Sequence, residues 1–298
     1  MKLWAISSRT VIRLLAIWVL AGSLTQANAQ FIDSIYWRPA DPVAGDEVVL
    51  DFIAYFGRLG YEWETSVNIE DHAITVDWYL DEMDVMMQMA GPWWGFTDLG
   101  ALEAGEYNIT LRLFLLYNGE EDYEMTDEAQ TQMVVSNQAL TLVTGWNFIS
   151  AQFLPDDDDV ESIFAELVER GSLYCVKNQE GSFYLPGRWP GLEHWDSRQG
   201  YMVNMYREDV LHILGERIAA DEPISLEAGW NMVAYLPEGN LSAPEAFQGI
   251  EDVILIAKNG AGGFYVPSLH FNNMGSLQPG QGYLLRVSEA VDFIWNEP

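Results

Sequence analysis

Residues 142–150, LVTGWNFIS, return as residues 226–235, LEAGWNMVAY, and these two Gly-Trp-Asn corners set the spacing of everything after about residue 140. Self-similarity at a fixed period marks a duplicated supersecondary unit, since one unit cannot bury its apolar face alone. Pairing Gly145 with Gly229 gives a period of about 84 residues, and the match runs on through both copies. Lys177 and Asn178 answer Lys258 and Asn259, Phe183 and Tyr184 answer Phe264 and Tyr265, and Gly200 and Tyr201 answer Gly282 and Tyr283.

Each copy reads as a strand carrying Gly-Trp-Asn, a Pro-preceded acidic helix start, a hairpin, a variable loop and a closing strand pair, a βαβββ-type unit. In the first copy Pro155 and four aspartates precede Ile163, Phe164, Leu167 and Val168 at helical spacing, and Gly171 stops the helix. The strands LYCVKNQEGSFYLP and ILIAKNGAGGFYVP read as hairpins, because Asn and Gly take the left-handed positions that tight loops need. The first copy is assigned to residues 139–222 and the second to 223–298.

Residues 30–138 follow a period of two instead. Val48, Leu50 and Phe52 alternate with polar or outward positions, as do Ile74, Val76 and Trp78, and then Tyr107, Ile109, Leu111 and Leu113. Short alternating strands between turn signals predict a β-sandwich. The whole chain is therefore expected to be mainly β with α+β repeats, an N-terminal β-sandwich followed by the two repeat units. Residues 1–29 carry a basic front, the apolar run LLAIWVLAGSL and an Ala27-Asn28-Ala29 cleavage pattern, which predicts a secretory signal peptide. That run is too short to span a bilayer, and nothing later approaches the ~20 apolar residues a spanning helix needs.

Charge narrows the partners. The chain holds 45 acidic against 14 basic residues, a formal net charge of −31, and the leader takes three of the basic residues with it. Such a surface repels nucleic acid and anionic lipid. Lys177 and Lys258 are the only lysines after the leader, and their equivalent positions point to an ammonium held by a carbonyl or carboxylate of the repeat fold, with a ligand or crosslink site as the alternative. Cys175, the lone cysteine, reads as an inert buried thiol. Asp156 to Asp159 could offer calcium hard oxygen ligands. The second copy has Glu238-Gly-Asn-Leu-Ser there, so helix capping is the better reading, and no metal or cofactor is expected.

Two resemblances add to this reading. The segments PADPVAGDEVVL and LGALEAGEYNITL resemble bacterial Ig-like domains of the disulfide-free type. The marks GWN, amphipathic helix, KN-x-x-G-x-FY-x-P and GY are similar to the tandem GWN repeats of exported proteins from Bacteroidota-type bacteria. That likeness rests on Gly145, Trp146, Asn147, Lys177, Gly200 and Tyr201, matched by Gly229, Trp230, Asn231, Lys258, Gly282 and Tyr283. It implies a secreted, periplasmic or cell-surface protein of non-enzymatic role. The second copy runs to within four residues of Pro298, so the C-terminal sorting domain common in that group is not expected here.

His72, His194, His212 and His270 stand far apart and match nothing between copies, which gives no catalytic pattern. The expected function is adhesion, matrix or envelope assembly with an unknown protein or glycan partner. The alternative is an accessory carbohydrate-binding protein or a hydrolase with a dispersed site. Trp146 and Trp230, on apolar strands, are expected in the core. Trp93 and Trp94 are the candidate ligand-binding residues, because alternation turns one of two adjacent strand residues outward. Self-repulsion of the net charge predicts that the melting temperature rises from low to molar NaCl and that calcium adds nothing further; thermal melts in the three conditions check it.

Overall fold

The computed structural model describes residues 31–296 apart from 57–58, 88–90 and 118–119; the signal-peptide assignment lies outside the described residues. Two compact units divide between Val135 and Ser136.

The first unit is made of β1 (Phe31–Arg38), β2 (Glu47–Phe56), β3 (Leu59–Glu70), β4 (Ala73–Met87), β5 (Gly91–Ala101), β6 (Gly105–Leu116) and β7 (Glu124–Val135). They form a three-stranded sheet in the order β1-β2-β5 and a four-stranded sheet in the order β3-β4-β6-β7. Alternation decides what each sheet buries. Leu50 and Phe52 of β2, Val76 and Trp78 of β4, and Leu111 and Leu113 of β6 are sealed in one core between the sheets. β4 and β6 run parallel, with β5 crossing to the other sheet between them, as parallel neighbours require a crossover. This pair departs from the wholly antiparallel sheets of the immunoglobulin arrangement.

The second unit begins with β8 (Gln138–Leu142), β9 (Gly145–Ile149), β10 (Phe153–Pro155), α1 (Val160–Ile163), α2 (Ala165–Glu169), β11 (Leu173–Lys177), β12 (Phe183–Leu185), β13 (Trp189–Pro190), β14 (Tyr201–Met205), β15 (Asp209–Ile213) and β16 (Gly215–Arg217). It continues with β17 (Ile224–Leu226), β18 (Gly229–Ala234), β19 (Leu241–Ser242), α3 (Ala243–Ala246), β20 (Ile254–Lys258), β21 (Phe264–Val266), β22 (Phe271–Asn272), β23 (Ser276–Leu277), β24 (Gly282–Val287) and β25 (Val291–Phe293). One sheet has the order β9-β14-β11-β12-β13 and the other β18-β24-β20-β21-β22, strand for strand the same arrangement. Each sheet packs its inner face on its own core, with Phe164 and Leu167 inside the first and Phe247 and Trp295 inside the second.

Helix starts differ in chemistry but not in place. Asp159 caps α1 by accepting the Ser162 N–H at 2.9 Å, while Ser242 and Glu245 form a reciprocal capping box at α3. The sequence predicts one continuous helix in the first copy. It breaks at Phe164, whose backbone leaves the helical region, and Gly171 ends the second piece with φ of 68°.

The copies meet through reciprocal contacts. Ile149 bridges Gln281, and Gln199 bridges Val233, so the same pair of positions is exchanged in both directions. Ser150 N–H donates to the Gly280 carbonyl at 3.0 Å, and Ala234 N–H donates to the Arg198 carbonyl at 3.1 Å. That exchange is the mark of a two-fold relation. Near its centre lie Gly200 and Gly282: a Cβ on either would stand 3.2 or 3.3 Å from the other's Cα. It would also stand 2.9 Å from the Val233 carbonyl oxygen on one side and 2.7 Å from the Ile149 oxygen on the other. Gly200→Val and Gly282→Val are each expected to cost about 2–3 kcal/mol by overpacking against backbone. Denaturant unfolding should show similar losses for the two variants, and a smaller loss for the double variant than their sum because the contact is shared.

Candidate functional site

β5 sets the orientation of the tryptophan pair. Gly95 faces inward, where a Cβ would stand 2.3 Å from the Phe52 ring. Trp93 therefore points the same way, edge-on to Trp78 at 5.1 Å between centroids. Trp94 and Phe96 must then face outward, and they are 63% and 58% exposed. Strand register extends this outer face across the three-stranded sheet. Tyr36, Asp51 and Phe96 form one rung, and Ser34, Ile53 and Trp94 the next. Phe31 stacks on Tyr55 one rung further, at 5.2 Å and 20° between planes.

Three rungs at two-residue spacing on three strands make a platform of roughly 14 by 10 Å. Its charge is self-contained: Arg38 grips Asp51 through both carboxylate oxygens at 2.5 and 3.1 Å. Partial burial, with Asp51 nearby, raises the Tyr36 hydroxyl above its ordinary pKa, so at neutral pH it is a neutral donor. The face offers rings, a tyrosine hydroxyl and one ion pair, the equipment for stacking a ligand and fixing its orientation.

The repeat residues behave differently from the expectation. Trp146 and Trp230 lie outside the core, 51% and 40% exposed. The cause is the asparagine beside each. Asn147 accepts from the Val143 N–H at 2.9 Å and donates to the Val143 carbonyl at 2.7 Å; Asn231 holds Glu227 at 2.9 and 2.7 Å in the same way. With the asparagine turned inward to close this corner, and Gly145 and Gly229 at φ of 91° and 109°, alternation sends the tryptophan out. The lysines also depart from expectation. Among the described residues no carbonyl or carboxylate holds either one; Lys177 lies over the Trp146 ring at 6.0 Å and Lys258 over the Trp230 ring at 5.1 Å. Tyr201 and Tyr283 are buried, and each hydroxyl accepts a backbone N–H, from Asp196 and Gln278 respectively.

Cys175 is only half-buried, with burial pushing its thiol up and Lys177 pulling it partly back. His194 bonds Asp158 at 3.0 Å, which raises its pKa; His212 lies 3.4 Å from the Ser136 hydroxyl. Among the described residues no group of three His, Cys, Asp or Glu is placed to hold a metal. A cleft of about 300 Å³ opens between the two copies beside Glu180, Asp196, Arg198 and Glu227. Arg198 is tied to Asp196 at 3.1 Å. The position equivalent to Arg198 is Gly280, where a Cβ would stand 2.7 Å from the Leu140 side chain.

Comparison with protein-family models, with curated proteins and with solved structures finds no match for the chain. Because the outward rings bury little, Trp94→Ala and Phe96→Ala are expected to change folding stability by less than about 0.5 kcal/mol. Trp78→Ala, at the centre of the core, should cost about 3–5 kcal/mol. Urea unfolding of the three variants checks both.

Proposed function

We propose that this chain is a non-catalytic binding module that works outside the cell after signal-peptide cleavage, in adhesion, matrix or envelope assembly. It joins an Ig-like domain to two repeats of the GWN kind found in exported proteins of Bacteroidota-type bacteria. The observation that carries this reading is the aromatic platform of Trp94, Phe96, Tyr55 and Tyr36, exposed on one face of the three-stranded sheet. Exposed apolar patches of this kind on otherwise polar surfaces mark interaction sites, and in a chain of net charge −31 an uncovered run of rings stands apart from its surroundings. Sugar faces and protein hot spots both use Trp and Tyr stacking.

A glycan array and a cell-surface binding assay on the wild type, Trp94→Ala and the Trp94→Ala/Phe96→Ala double variant test this. The expected result is a bound class of ligand whose affinity falls about 30-fold or more in the double variant, with the circular dichroism spectrum unchanged. Binding that survives the double variant at full strength would remove the platform from the function.

A further inference from the structure

We infer that the outer faces of the two repeat sheets are twin sites for carboxylate-bearing sugar residues, that is, uronic-acid units of a glycan, and that the second-copy site is the tighter. This stands on the second unit and does not depend on the aromatic platform of the first.

The register builds each site. On the first sheet Trp146, Asn204 and Cys175 share one rung, and Phe148, Met202, Lys177 and Phe183 share the next. On the second sheet the same rungs hold Trp230, Arg286 and Ile256, then Met232, Leu284, Lys258 and Phe264. No carboxylate stands on any of these rungs, in a chain with 45 acidic residues. Among the described residues neither lysine makes an ion pair or a hydrogen bond. Each ammonium has only the indole beneath it, an interaction worth ~0.5–1 kcal/mol at an exposed site, and its N–H donors remain available to an anion.

An anion with an apolar ring face fits this arrangement, because the repulsion from the chain's net charge of −31 is screened beyond about 10 Å at ordinary salt and the rungs themselves carry cations and no carboxylate. Its carboxylate meets the ammonium, while its ring lies against the half-exposed indole or against Phe183 and its counterpart Phe264. Each site is made of side chains projecting from the sheet face, an indole and an ammonium, which suits a sugar ring better than an extended acidic peptide needing main-chain partners. Arg286 stands directly opposite Trp230, where the first copy has the neutral Asn204. A guanidinium adds a two-pronged carboxylate contact, so the second site gains a charge the first lacks. The sites recur at equivalent positions, and one polymer chain reaching both would gain by effective concentration.

Calorimetric titration of the full chain with trigalacturonate, beside the neutral galactose trisaccharide, tests the inference. Two binding events are expected for the acidic sugar and none for the neutral one. Lys258→Gln should weaken the tighter event about tenfold or more, the Lys177→Gln/Lys258→Gln double variant should abolish both, and Lys→Arg at both positions should retain them. Trp94→Ala should leave the titration unchanged. Equal binding of the neutral sugar, unchanged binding in the folded double lysine variant, binding of oligoglutamate in place of the sugar, or no heat at millimolar trigalacturonate would each overturn it.

Discussion

The close approach of Gly200 and Gly282 governs the second unit. Each Cβ would crowd a carbonyl oxygen of the other copy, Val233 at 2.9 Å on one side and Ile149 at 2.7 Å on the other, so only hydrogen fits in either direction. This absence of side chain lets strands β14 and β24 begin against the opposite Gly-Trp-Asn strand and lets the exchanged bridges form. The polar contacts around them act as fasteners. Gln152 donates to the Leu236 and Pro237 carbonyls, and Ser150 joins the Gln281 carbonyl to the Tyr235 N–H. Such buried contacts add about 1 kcal/mol each while made and cost more when a partner is lost, so they specify the pairing of copies whose cores are separate. The interface is thus a dimer contact carried within one chain.

The Gly-Trp-Asn signature reads differently once its three members are separated. Glycine supplies a left-handed turn, which other residues enter only with strain, and asparagine replaces the missing backbone partners of that turn with its amide. These two are structural in both copies. Tryptophan is left facing out, where the turn makes no demand on it. Its companion lysine comes from the third strand of the sheet, two strands away, and only the strand order brings the pair together.

Sequence patterning reached the strands and their phase where alternation was unbroken: Leu50 and Phe52, Val76 and Trp78, and Leu111 and Leu113 all lie inward. It also assigned the Asp156 to Asp159 run to helix capping, where Asp159 makes the contact, and required one of Trp93 and Trp94 to face outward without deciding which. It failed for Trp146 and Trp230 because hydrophobicity was weighed residue by residue, while the inward phase of that strand had already been claimed by Asn147 and Asn231. A polar residue that closes a turn can outrank an aromatic neighbour for the buried position, since an unpaired backbone group inside costs more than an exposed ring. The platform on the first unit was visible only in part. Tyr36, Tyr55 and Phe96 become neighbours of Trp94 through the β1-β2-β5 pairing, a non-local fact that no single strand carries.

Both exposed aromatic sets therefore arise by one route: an adjacent residue needs the interior. Gly95 is held inside by the Phe52 ring pressing on it, which turns Trp94 and Phe96 to solvent; Asn147 and Asn231 do the same for the repeat tryptophans. Exposing such rings invites association, and a chain of net charge −31 counters that hazard with long-range self-repulsion between molecules. The repulsion is screened beyond about 10 Å at ordinary salt, so it limits indiscriminate encounters at a distance without weakening contacts made at the rings themselves. Acidic composition and aromatic exposure are then linked parts of one arrangement, in which the acids stay off the repeat rungs that carry Lys177 and Lys258 and the ring faces stay open.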